Sequence, residues 1–85
     1  MRVQIRYCAS LRESLGVDVE WVDLPDDVTT AGGLRDWLSA RGGVWSEQMA
    51  ASRPVRIAVA QQMANPQTLL SEGREVAFFP PVTGG

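Results

Sequence analysis

The residues best suited to chemistry lie at the end of the chain, where Pro80-Pro81-Val82-Thr83-Gly84-Gly85 follow a hydrophobic run over 75–79. Glycine has no Cβ, so its backbone can enter a channel too narrow for other residues and adopt conformations they avoid. Behind Gly84, the carboxylate of Gly85 is bare and reachable. Pro80 and Pro81 lack N–H donors and fix φ near the extended value, so they end a sheet ladder and launch the chain as a stiff segment. Six residues from Pro80 can span roughly 20 Å, enough to carry a carboxylate into another protein's pocket. On local chemistry alone, an ordinary frayed terminus remains the alternative.

The rest of the composition removes most competing chemistries. Histidine is absent, which excludes Ser-His and Cys-His catalysis and the commonest metal ligand. The single cysteine, Cys8, can build neither an internal disulfide nor a thiolate zinc site, and at the end of a strand-like run it reads as a small buried hydrophobe. A formal charge of −2 argues against a nucleic-acid binder, which needs a clustered basic face. Neither a signal peptide nor a membrane span is expected, and the cytoplasm is the default. Lysine is also absent, which composition drift toward Arg can explain and which would also suit a chain whose C-terminus is activated and must not meet amines of its own.

Stepping along the chain, 2–7 alternates polar and apolar, with Val3, Ile5 and Tyr7 sharing one face of a strand. Residues 10–16 suit a short helical turn that Gly16 can end in the left-handed conformation. A second strand is expected over 17–24, with Val17, Val19 and Trp21 on one side and Asp18, Glu20 and Val22 on the other. The main helix should begin with Thr29 or Thr30 as N-cap and run to about Arg41, stopped by Gly42-Gly43. Leu34, Trp37, Leu38 and Arg41 form its inward stripe, with Arg35, Asp36 and Ser39 outward. Gly32 and Gly33 each weaken a helix by about 1 kcal/mol, so a ragged first turn is expected.

A further helical turn near 45–51 can pair Trp45 with Met49. A third strand covers 55–60, Asn65-Pro66 marks a loop, and 71–74 turns tightly into the last strand at 75–79. There Val76 and Phe78 point one way and Ala77 and Phe79 the other, so one phenylalanine belongs to the core while the other is covered by a loop or offered to a partner. The order of elements describes one α+β domain over 1–79, a mixed sheet with one main helix packed across it, followed by a flexible tail over 80–85.

With these elements in view, the chain resembles a known family, the small sulfur-carrying subunits of molybdopterin synthase. The likeness is strongest in EVAFFPPVTGG at 75–85 and visible in YCASLRESLG at 7–16 and TAGGLRDWL at 30–38. It departs at Ala31 and Gly33, where relatives commonly carry an apolar residue and a Glu, so the capping-box carboxylate is missing. It also departs at Cys8, at Ala60 in place of a common Asn, and at Gly73-Arg74-Glu75.

The resemblance implies a ubiquitin-like β-grasp fold and assigns the working residue to Gly85, with Gly84 giving access. A separate ATP-dependent enzyme would adenylate the Gly85 carboxylate, and a sulfur-donor protein would help convert it to a thiocarboxylate. That sulfur would go to a cyclic pyranopterin phosphate in the pocket of the large synthase subunit, within a heterotetramer. Phe78, Phe79, Pro80, Pro81, Val82 and Thr83 are the implied partner contacts. The chain itself would bind no cofactor or metal and would be no enzyme on its own. A sulfur carrier for thiamin, tRNA thiolation or cysteine, or a ubiquitin-like protein modifier, are the alternatives.

Overall fold

The computed structural model describes residues 1–81, which fold into one five-stranded sheet with three helices. In chain order the elements are β1 (Arg2–Tyr7), α1 (Ala9–Leu15), β2 (Val19–Asp23), α2 (Ala31–Ser39), α3 (Val44–Gln48), β3 (Arg56–Val59), β4 (Gln62–Met63) and β5 (Glu75–Phe79). The strands lie in the order β2-β1-β5-β3-β4. β1 and β5 run parallel at the centre, and every other pairing is antiparallel. The first and last strands are therefore neighbours. In this arrangement Tyr7 is in register with Phe78, so β5 leaves the sheet at the end where β1 finishes.

Period-two alternation separates the two faces of the sheet. Val3, Ile5, Tyr7, Val76 and Phe78 point to one side and are wholly buried. They meet Leu34 and Leu38 of α2, Leu11 and Leu15 of α1, and Met49, in a single core. In β2 it is Val22 that turns inward, while Val19 and Trp21 stand on the open side, where Trp21 lies beneath the Arg2 guanidinium. The strand expected over 17–24 is shorter at both ends. Asp18 is a bend whose carbonyl accepts the Tyr7 N–H, and Leu24 already pairs with Met1.

The main helix departs from expectation at its start. Its first turn is well satisfied, because the N–H groups of Ala31, Gly32 and Gly33, which a helix leaves without an internal partner, find acceptors outside it or at its cap. The Thr30 hydroxyl accepts from Gly33 at 3.1 Å, Ala31 donates to the Thr68 carbonyl, and Gly32 donates to the Pro66 carbonyl. A Cβ at position 32 would sit 3.0 Å from the Pro66 carbonyl oxygen and Cβ. Gly32 is thus the residue that admits the 64–70 loop against the helix, and that contact, together with the Thr30 hydroxyl, orders the first turn without a capping-box carboxylate. At the other end the helix stops at Ser39, tightens through Arg41 and Gly42, and is broken by positive φ at Gly42 and Gly43.

Two smaller elements also differ from the sequence expectation. The 45–51 turn is α3, whose Met49 cap donates to the Trp45 carbonyl and buries its own side chain. β4 was not expected at all. It is joined to β3 by Ala60 and Gln61 at φ of 50° and 67°, a two-residue hairpin turn that normally carries Asn or Gly.

Candidate functional site

The site is the end of the sheet where β5 gives way to Pro80 and Pro81. Phe78 holds that end from within. It is fully buried, its ring stacks on Tyr7 with centroids 6.1 Å apart, and its carbonyl accepts the Cys8 N–H at 3.0 Å. Phe78 therefore cannot serve as a surface contact for a partner, because its ring faces the core in register with Tyr7. Phe79 turns the opposite way and stays half-buried on the open face, in register with Arg56. Pro80 and Pro81 are also half-buried, and border a small cleft with Ser10, Leu11, Gln48, Arg53 and Pro54. Val82, Thr83, Gly84 and Gly85, which sequence reasoning assigned to the tail, lie outside the described residues.

The open face of the sheet continues from Phe79. Ala77 of β5 is in register with Ala58 of β3, which is in register with the exposed Met63 of β4. Residues paired across strands share a face, so Phe79, Ala77, Ala58 and Met63 form an apolar strip that no helix or strand among the described residues covers. Arg6 and Arg56 edge it, and Arg6 reaches Glu75 at 3.4 Å, an exposed pair worth little to stability. Sequence reasoning missed Met63 and Arg56. The alternation of 62–63 is too short to be read as a strand, and Ala60-Gln61 lacks the residues that announce a hairpin.

Two arginines fix the frame around this end. Arg41 donates from Nη1 and Nη2 to the two carboxylate oxygens of Glu20 at 3.0 and 3.1 Å, and its guanidinium lies over the Trp45 ring at 4.4 Å. Glu20 also accepts the Tyr7 hydroxyl at 2.7 Å. Burial works to raise the Glu20 pKa, but the hydrogen bonds from Arg41 and Tyr7 and the Arg41 charge outweigh it, holding the carboxyl below its ordinary value. Burial, then the Glu20 hydrogen bond and charge, push the Tyr7 phenol well above its ordinary value. Tyr7 therefore acts as a fixed donor beside Phe78.

Arg35, expected to point outward, instead bends onto the segment after α3. It donates to the carbonyls of Met49, at 2.9 Å, of Ala50, and of Arg53, at 2.8 Å. Burial lowers its pKa and the Asp36 charge partly offsets this, although a guanidinium stays protonated in proteins. The loop that carries Arg53 and Pro54 beside the prolines is therefore anchored to α2. Among the described residues no group of His, Cys, Asp and Glu could hold a metal ion, and no helix is long and apolar enough to cross a membrane.

A mixed sheet with central parallel first and last strands and a helix packed across one face defines a ubiquitin-like β-grasp protein. The chain belongs to the ThiS family, which it matches over residues 5–85. It is 34% identical over 83 residues to the molybdopterin synthase sulfur carrier subunit of Haemophilus influenzae, covering 98% of this chain and 99% of that protein. Among solved structures it is similar to molybdopterin converting factor, subunit 1, of Pyrococcus furiosus, with a TM-score of 0.80 and 26% identity over 96% of this chain and 99% of that one. It also shares its fold with a chain in the complex of subunits 1 and 2 of the Helicobacter pylori molybdopterin-converting factor, with a TM-score of 0.67 and 23% identity over the full length of both.

Proposed function

We propose that this chain is the sulfur carrier subunit of a molybdopterin synthase, working through the carboxylate of Gly85. The supporting observation is that a family ending, EVAFFPPVTGG, begins as the central strand of the sheet and leaves it through two half-exposed prolines beside an uncovered apolar strip. A carboxylate is unreactive until converted to a mixed anhydride, so a separate ATP-dependent enzyme adenylates Gly85. Sulfur from a donor protein then replaces one oxygen and gives the thiocarboxylate. The tail, residues 80–85, enters the large subunit, which supplies the pocket and the acid-base groups for sulfur transfer to a cyclic pyranopterin phosphate. A chain with no His and no Lys suits that division of labour.

Ordering each tail residue costs on the order of 1 to 2 kcal/mol, which the prolines reduce by restricting the free ensemble. Net affinity for the large subunit therefore comes from the folded face, with Phe79 and Met63 as its apolar contacts and Pro80, Pro81, Val82 and Thr83 guiding the tail. Deleting Gly84 and Gly85 should abolish sulfur transfer and leave most complex formation intact, measured by single-turnover transfer and by calorimetry with the large subunit. Binding lost in proportion to transfer would refute the division between face and tail.

A further inference from the structure

All eight basic side chains of this protein are arginine. Its one primary amine is the Met1 α-amino group, which donates to the Leu24 carbonyl at 3.2 Å. Because β1 and β5 are parallel and Tyr7 aligns with Phe78, Met1 lies at the far end of the sheet, roughly 20 Å from where the tail leaves. At the near end the cations include Arg6, in register with Ala77, and, closest to where the tail leaves, Arg53, which borders the cleft against Pro80 and Pro81, and Arg56, in register with Phe79. Arg53 and Arg56 are both exposed. A six-residue tail that can span roughly 20 Å has both positions within its radius.

We infer that the tail's end of the domain is kept free of amines so that the activated carboxyl cannot be consumed by its own carrier, with Arg53 and Arg56 supplying positive charge there without a nucleophile. The inference rests on the proposed activation of Gly85. An ε-amine attacking an acyl adenylate forms a C–N bond as the C–O bond to the phosphate breaks. AMP departs with the electron pair, the nitrogen gives its extra proton to water, and the amide produced is a dead end. A guanidinium stays protonated and has no free nitrogen lone pair to attack with. Capture by the nearby Cys8 thiol would differ in kind, since a thioester remains exchangeable with other sulfur nucleophiles.

The test uses the full chain carrying a C-terminal thioester at Gly85, which supplies the activation without any enzyme, and compares wild type, Arg53→Lys, Arg56→Lys and Arg2→Lys. Circular dichroism first confirms that each is folded. A short tether places its end at an effective concentration of about 1 mM. The lysine at 53 or 56 should therefore give a product lighter than the free acid by one water, with the last peptide linked to that lysine. Wild type should only hydrolyse, and Arg2→Lys, at the far end, should cyclise at least about tenfold more slowly than the near variants by the same proximity argument. If neither near variant cyclises, or if Arg2→Lys cyclises as fast as they do, the inference is overturned. Incubating the free acid with an adenylating enzyme and ATP is the separate check on activation. Failure there alone would count against the proposed function and not against the thioester result.

Discussion

The two faces of one sheet do different work. On the helix side, β1 and β5 bury Val3, Ile5, Tyr7, Val76 and Phe78 completely, and polar groups there are tied down by Glu20 and Arg41. On the other side the same strands present Arg6, Ala77 and Phe79, continued through Ala58 to an exposed Met63, with no element over them among the described residues. Adjacent residues of β5 therefore differ sharply: Phe78 is wholly buried in the core, and Phe79 is half-buried on the opposite face, where the proposed function places a partner. One strand can thus both anchor the core and, on the proposed function, meet a partner, the two roles being separated only by side-chain alternation.

The sharpest way to break this contrast is to truncate the two phenylalanines separately. Phe78→Ala should cost about 3 to 5 kcal/mol and leave little folded protein, whereas Phe79→Ala should cost under about 1.5 kcal/mol and weaken binding to the large subunit. Urea melts and titration calorimetry give both readouts, and equal stability losses would erase the distinction. A smaller effect is expected from Glu20→Gln, which weakens the bonds to Arg41 and Tyr7 and should cost about 1 to 2 kcal/mol at neutral pH. The folded Glu20 pKa is depressed, so its stabilisation is present above the ordinary carboxyl value and disappears as pH falls through the folded one. The deficit of the variant should consequently shrink below about pH 4. A deficit that held constant down to acid would argue that the charge is irrelevant.

Next in size, Gly32→Ala should lose about 1 kcal/mol despite alanine's better helix propensity, because the new Cβ meets Pro66 main chain. Gly33→Ala, facing only the Thr30 hydroxyl at 3.2 Å and a Val28 methyl, should be nearer neutral. A gain in thermal midpoint for Gly32→Ala would show that the loop yields easily. The smallest change is a gain: Asn tolerates the left-handed region better than Ala, so Ala60→Asn should stabilise the β3–β4 hairpin by about 0.5 to 1 kcal/mol. Since that turn joins β3 to β4, the same variant can sharpen docking through Met63 without altering the core.

Much of the fold was legible where local chemistry and tertiary need agreed. The alternation of 2–7 and 75–79, a threonine cap narrowed to Thr29 or Thr30, and the Gly42-Gly43 stop all read directly, because each is set by residues close in sequence. What escaped depended on contacts across the chain. The order of the first helical turn relies on Pro66 and Thr68, some 35 residues away, and the inward bend of Arg35 relies on carbonyls after α3. At the site, the split between Phe78 and Phe79 could be seen as an alternation but not assigned to a face until Tyr7 was known to lie beside Phe78. Met63 was hidden by an Ala-Gln turn that resembles no hairpin signal.

The parallel neighbourhood of β1 and β5 has a consequence for how the molecule comes into being. Until the final strand is in place, β1 and β3 have no shared partner, and the core lacks Val76 and Phe78. β5 is distant in sequence from β1, and such distant pairing must close before it is rewarded. A chain cut short before β5 thus keeps only two separate strand pairs, β1 with β2 and β3 with β4, and a core without Val76 and Phe78. Joining the two halves of the sheet and closing the core are therefore one event, and both wait on β5.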